Sequence, residues 1–269
     1  KGLEAPFDGN YNPSVLVPLT TDMDVISYMM QHCETQSSIR YRKERMGVFG
    51  HAIGTTPERA REVSMALNSN HMVGLYPDGA KLTLLDELGR SNEFAVDGSF
   101  IASAYSGVDV APAFDVATPL TRKQITGFTG LIRHVDPVTQ NQVSVAGVTV
   151  LDDVDPVIRI RHSLTTNPTN VLTRSPSITK ILHYVQQTMR RNLDQYIGVK
   201  FLPRVLSSIE STMKSAFELL ISAEIIVAYT GVSATQDSQD PAIARVEAYY
   251  SPVFPLEWIV VTLNLRTRL

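Results

Sequence analysis

Gly50-His51-Ala52-Ile53-Gly54-Thr55-Thr56 follows an apolar run and precedes a helix start, a place where backbone amides can meet a phosphate. A phosphate loop also needs a glycine pair spanning six residues and a lysine before its Ser/Thr, and this stretch has neither. It reads as a tight strand-to-helix connection. His32-Cys33 has the residue types of a nucleophile and its base, but helical neighbours point about 100° apart and do not face each other. Cys33 instead extends the apolar stripe of Met29 and Met30 and reads as structural. His51, His71, His134, His162 and His183 lack the short helical spacings of metal ligands, so no metal site is expected. No Gly-x-Ser-x-Gly elbow is present. Gly127-Phe128-Thr129-Gly130 has the form of an RNA-clamping loop without its flanking pattern. No catalytic or cofactor-binding residue is assigned.

One cluster carries more signal. Lys180, Arg190, Arg191, Lys200, Arg204 and Lys214 follow one another with few acids between them. They form either a solvated outer face or an assembly surface for an acidic partner. Only Tyr184, Tyr196 and Phe201 interleave with them, which makes single-stranded nucleic acid a poor candidate. Arg190, placed on the polar face of its helix, is expected to tolerate alanine within about 0.5 kcal/mol.

The elements that must carry these residues change character along the chain. In the first half, Val15-Leu16-Val17-Pro18, Met46 to Gly50 and Met72 to Pro77 are short apolar runs separated by helical patterns. One pattern contains Val25, Ile26, Met29, Met30 and Cys33; another contains Ala60, Val63, Ala66 and Leu67 behind Thr55-Thr56-Pro57-Glu58, whose cap, early proline and acid suit a helix start. A further helix is expected over Val96 to Ser106. Continuous apolar strands separated by helices indicate a mainly parallel sheet with helical layers.

In the second half, Ile125 to Ile160 reads as short β segments punctuated by Asp136-Pro137 and Asp155-Pro156. Ile178, Ile181, Leu182, Val185, Met189 and Leu193 then mark a helical face, and Val205, Ile209, Met213, Phe217 and Leu220 mark a second. Strands are expected over Glu224 to Thr230, Ile243 to Tyr250 and Glu257 to Leu265, with a polar loop from Gly231 to Ala242. The fold class is therefore α/β plus α+β, divided as residues 1–123 and 124–269.

Composition closes other doors. A chain of 269 residues with 43% hydrophobic and 19% charged side chains can bury a core. One cysteine cannot make an internal disulfide. No apolar run approaches the roughly 20 residues of a membrane helix. The net charge of −3 argues against a protein that coats nucleic acid. That charge is unevenly spread: nine basic and fifteen acidic side chains precede residue 121, and fifteen basic and twelve acidic follow. Opposite signs suit a subunit whose ends meet head to tail in a polymer.

The order of these stretches resembles the central and C-terminal conserved part of a contractile phage tail sheath protein. Arg45 to Gly50 resembles the family's second parallel strand, Thr55-Thr56-Pro57 its helix start, and Val73 to Pro77 a strand ending in an aromatic-proline pair. Ala102 to Gly107 resembles its small-residue helix, Ile125-Thr126-Gly127 the entry to the C-terminal module, and Ile158 to Thr166 a strand closing on a Thr pair. Ser177 to Gly198 resembles a helix with an aromatic-Ile-Gly stop.

The resemblance implies a structural subunit, not an enzyme, which forms stacked hexameric rings around a tail tube. Contraction would drive the tube through the host envelope. It implies copies of the chain, the tube protein, and baseplate and tail terminator proteins as partners, with no cofactor, nucleic acid or direct membrane insertion. The place would be the virion tail, assembled in the host cytoplasm. The six cations become a candidate contact surface because the family's C-terminal module lies nearest the tube. A sheath of a phage-derived injection machine, of pyocin or type VI secretion type, stays open, as does a nucleotide-binding α/β enzyme. The family links subunits through extended arms. Glu257 to Leu265 alternates like a strand of its own subunit, and Lys1 to Asn12 is polar with no strand of useful length. This chain is thus expected to remain monomeric while the full-length protein forms tubes.

Overall fold

The computed structural model describes residues 13–111, 115–154, 157–257 and 259–262. In chain order the first elements are β1 (Val15–Leu16), α1 (Met23–Gln36), β2 (Met46–Gly50), α2 (Pro57–Leu67), β3 (Met72–Tyr76), β4 (Gly79–Leu85), β5 (Ser91–Asp97) and α3 (Gly98–Asp109). There follow β6 (Gln124–Ile125), β7 (Gly130–Leu131), α4 (Pro137–Val145), β8 (Val148–Val154), β9 (Val157–His162), α5 (Val171–Arg174), α6 (Pro176–Leu193), α7 (Pro203–Ser222), β10 (Ile226–Gln236) and β11 (Ala244–Pro252).

Six strands form one sheet in the order β1-β2-β3-β8-β9-β6. The pairings from β1 to β8 are parallel, and those of β9 with β8 and β6 are antiparallel. Every residue of β2 and β3 is buried, because helices cover both faces. Val48, Val73 and Leu75 meet Ile101, Ala102 and Tyr105 of α3 on one side. Phe49 and Met72 meet Ile26, Met29 and Cys33 of α1 and Val63 and Leu67 of α2 on the other. Helix α3 comes close because Gly50 and Gly98 let the backbones touch: a Cβ on Gly50 would lie 2.0 Å from the Gly98 carbonyl oxygen.

A second core lies beyond the sheet. Ile181 and Val185 of α6 pack with Met213, Phe217 and Leu220 of α7, and Ile226 of β10 closes the cluster. β10 and β11 form an antiparallel pair whose inward residues include Ala234, Val246 and Tyr250. The mainly parallel sheet with helices, followed by an α+β module, is thus the fold. Strands on both sides of position 123 belong to the one sheet, so a division at 123/124 falls between strand neighbours.

Local differences from the sequence reading have local causes. Residues 79–97 form a hairpin, and α3 begins only after Asp97, whose side chain accepts from Ser99 N (2.9 Å). The stretch expected to be all short strands contains α4, capped by Asp136 through the amides of Val138 and Thr139 (3.0 and 3.1 Å). The expected loop from Gly231 is strand as far as Gln236; only then does Asp237 turn the chain by accepting from the amides of Gln239 and Asp240. On α2, Ala66 faces solvent and Ser64 is buried in its place, its hydroxyl donating to the Ala146 carbonyl (2.8 Å). Of the strand expected over Glu257 to Leu265, Trp258 and Leu263 to Leu265 lie outside the described residues, and the others form no strand. Lys1 to Asn12 also lie outside them.

Candidate functional site

The loop after β2 carries its own anion. Asp78 is fully buried just after β3, and its Oδ2 accepts from Gly54 N at 2.6 Å. Arg133 Nη2 stands 3.4 Å from the same oxygen. Thr56 caps α2 by accepting from Arg59 N (3.3 Å). A carboxylate thus holds a loop amide that a phosphate would need, and it would repel one. His51 in this loop is buried, and burial pulls its pKa down to about 4 against the opposing pull of Asp78.

Cys33 is enclosed in the α1–β2 core, and burial pushes its thiol up to about 12. A thiol held protonated is a poor nucleophile. His32 turns away from it and accepts from Arg45 Nη1 at 2.9 Å. Gly127 takes a left-handed φ of 100°, and Gly130 begins β7, opposite Lys81 of β4. That glycine pair therefore shapes a strand entry.

The six cations divide into two groups. Lys180 Nζ donates to Asp109 Oδ1 at 2.6 Å, and Arg190 pairs with Glu44. Both carboxylates are buried and belong to the sheet side of the molecule, so these cations dock α6 onto it. Gln187 adds a second donor to Glu44 (3.3 Å), and Thr179 donates to the Asn70 carbonyl (3.2 Å). Arg191, Lys200, Arg204 and Lys214 are exposed and make no ion pair among the described residues. Ile197, Val199 and Leu202 of the α6–α7 turn, near Lys200 and Arg204 in sequence, are exposed as well.

No protein-family model matches the chain. Over 256 residues, 94% of its length, it is 26% identical to the tail sheath protein of Mycobacterium phage Bxz1. It superposes on the sheath tail protein of Desulfitobacterium hafniense with a TM-score of 0.68 and 11% identity, over 90% of this chain and 54% of that one. Against the contracted sheath of the PVC extracellular contractile injection system the TM-score is 0.71 at 12% identity, over 96% of this chain and 72% of that one. Along nearly its whole length the chain is similar to phage tail sheath proteins in sequence and to contractile sheath proteins in fold. It spans about two-fifths of the length of the curated relatives it matches, 43% for the Bxz1 protein.

Among the described residues no three His, Cys, Asp or Glu side chains gather at one point. A concavity of about 1030 Å³ runs along β9 and is lined by Arg122, Arg161, His162 and Arg174, among others. Glu257 lies across it, accepting from Arg174 Nη2 at 2.5 Å with His162 Nε2 at 3.6 Å. Neither Glu44 nor Asp109 nor Glu257 stood out in the sequence. Each is an ordinary acid there, and only its partner, far along the chain, gives it a role.

Proposed function

We propose that this chain is the conserved part of a contractile tail sheath subunit, and that its role is structural rather than enzymatic. Copies stack as hexameric rings around a tail tube, and their rearrangement between extended and compact packings drives the tube through the host envelope. The observation that carries this reading is sequence relationship to a phage tail sheath along 94% of the chain, together with a shared fold along 96% of it with a contracted sheath. The curated relatives are phage proteins, which favours a virion tail over an injection machine. The tube, the baseplate and the terminator are the partners this role requires.

Within the subunit we assign two modules. The first is the helix-covered sheet; the second is α6, α7 and the β10–β11 ribbon. The first extends past position 123, because β6, β8 and β9 complete its sheet. Arg191, Lys200, Arg204 and Lys214 are the assembly surface, and Lys180 and Arg190 hold the two modules together.

Electron microscopy of the full-length protein tests the role: rings or tubes are expected, and uniform monomers in the presence of the tube protein would overturn it. Reversing the four exposed cations to glutamate should stop assembly while leaving the melting temperature of the subunit in place. Assembly unaffected by all four reversals would remove the surface but not the role.

A further inference from the structure

The junction between the two modules contains a histidine pair that neither docking nor assembly explains. His71 closes the turn from α2 into β3, and His183 lies on the face of α6 that meets it. Their rings stack with centroids 5.2 Å apart and planes inclined by 22°. Both are largely buried, and His71 Nδ1 and His183 Nε2 have no hydrogen-bond partner. A proton added at either of these nitrogens would find no acceptor, so the stack favours neutral imidazoles.

The surroundings differ on the two sides. His71 faces Glu34 of α1, which accepts from Ser69 Oγ at 2.7 Å in the same turn. His183 feels the charge of Arg190 two turns along its own helix, a charge that Glu44 ahead of β2 engages. His183 also borders a cavity of about 320 Å³ with Glu44, Asp109, Asp115, Lys180 and Tyr184. That cavity lies between the modules and offers a route for water. Glu44 and Asp109 already pair with Arg190 and Lys180, so neither is free to neutralise an added charge at His183.

We infer that the stacked His71–His183 pair is an acid-labile joint, which holds α6 on the sheet when both rings are neutral and releases it when one is protonated. The joint lies within one subunit and operates whatever the subunit assembles into.

The sign follows from where the protons bind. Burial lowers His183 from its ordinary 6.5 to about 3, with His71 and Arg190 adding to the effect. Burial also lowers His71, against the pull of Glu34. With α6 released, both rings recover ordinary values and take up protons that the docked state refuses. Docking is therefore fully present above pH 6.5 and is lost as the pH falls from there toward 3. Each histidine contributes up to about tenfold per pH unit to the released-to-docked ratio.

Amide hydrogen exchange of the 269-residue chain at pH 7.5 and 5.0, corrected for intrinsic rates, tests the joint. Protection of α6 should fall at pH 5.0 by more than about tenfold beyond any fall in β2 and β3. In the double variant His71→Phe/His183→Phe, which keeps two stacked rings that never ionise, that difference should vanish. If this variant does not fold, NMR titration of the wild-type imidazoles decides. His183 should stay neutral down to the pH at which α6 loses protection. Equal losses in α6 and β3, the same loss in the variant, or a His183 ring that ionises near 6.5 with α6 still protected would each overturn the inference.

Discussion

At the module junction, Lys180 and Arg190 reach carboxylates whose side chains are only 6% and 1% exposed. One residue beyond Arg190, Arg191 is exposed to solvent, as are Lys200 in the α6–α7 turn and Arg204 and Lys214 on α7. The same residue type on one helix pair thus does two jobs. A buried carboxylate must keep its counter-charge, because removing one partner leaves an uncompensated charge in a medium that solvates it poorly. An exposed cation is already solvated by water and screened by salt, and its loss changes little within the subunit. Charges at the junction therefore belong to folding, and the exposed charges are free for the assembly role proposed for them.

Four tests by substitution can break or sharpen that contrast. The largest loss is expected from Val185→Asp, which places a carboxylate without a partner between α6 and α7. It should cost at least about 3 kcal/mol by urea titration. Next comes Arg190→Ala, which strands Glu44. Arg190 is about one-third exposed and Gln187 still donates to Glu44, so the cost falls below that of a fully buried pair, at about 2 kcal/mol. This replaces the near-neutral effect expected from the sequence, where Arg190 reads as a solvent-facing residue. A cycle of Glu44→Gln and Arg190→Met should give a coupling of about 1 kcal/mol or more; strictly additive losses would mean the pair does not hold the junction. The smallest effects belong to Arg204→Ala and Lys214→Ala, each within about 0.5 kcal/mol in the isolated chain. A loss at Lys214 matching that at Arg190 would erase the distinction between the two groups.

Several elements could be read directly from residue order, because their signals are local. β2 and β3 are unbroken apolar runs, which is what a strand covered on both faces requires. Thr56-Pro57 starts α2 as its cap and early proline foretell. The inward phase of α6 follows from Ile178, Ile181 and Val185, all buried. The β4–β5 hairpin escaped notice for the opposite reason. Its outer residues, Leu84 to Phe94, are largely exposed, so no core imposes an apolar alternation on them. α4 escaped because its apolar stripe is short, with only Gln140 and Val143 buried.

The sequence by itself determined that this chain buries a core, where its main helices lie, and that its cations gather in the second half. It also carried the order of elements in which the family resemblance resides. Only the tertiary structure decided which of those cations are structural. Asp109 lies 71 residues from Lys180 and Glu44 lies 146 residues from Arg190. Periodicity within a helix shows which face a side chain takes, but not which distant carboxylate the fold will bring to that face. The stacking of His71 on His183 has the same origin. Two scattered histidines become a joint only when β3 and α6 are packed together, and burial at that contact, not any neighbour in sequence, keeps them neutral.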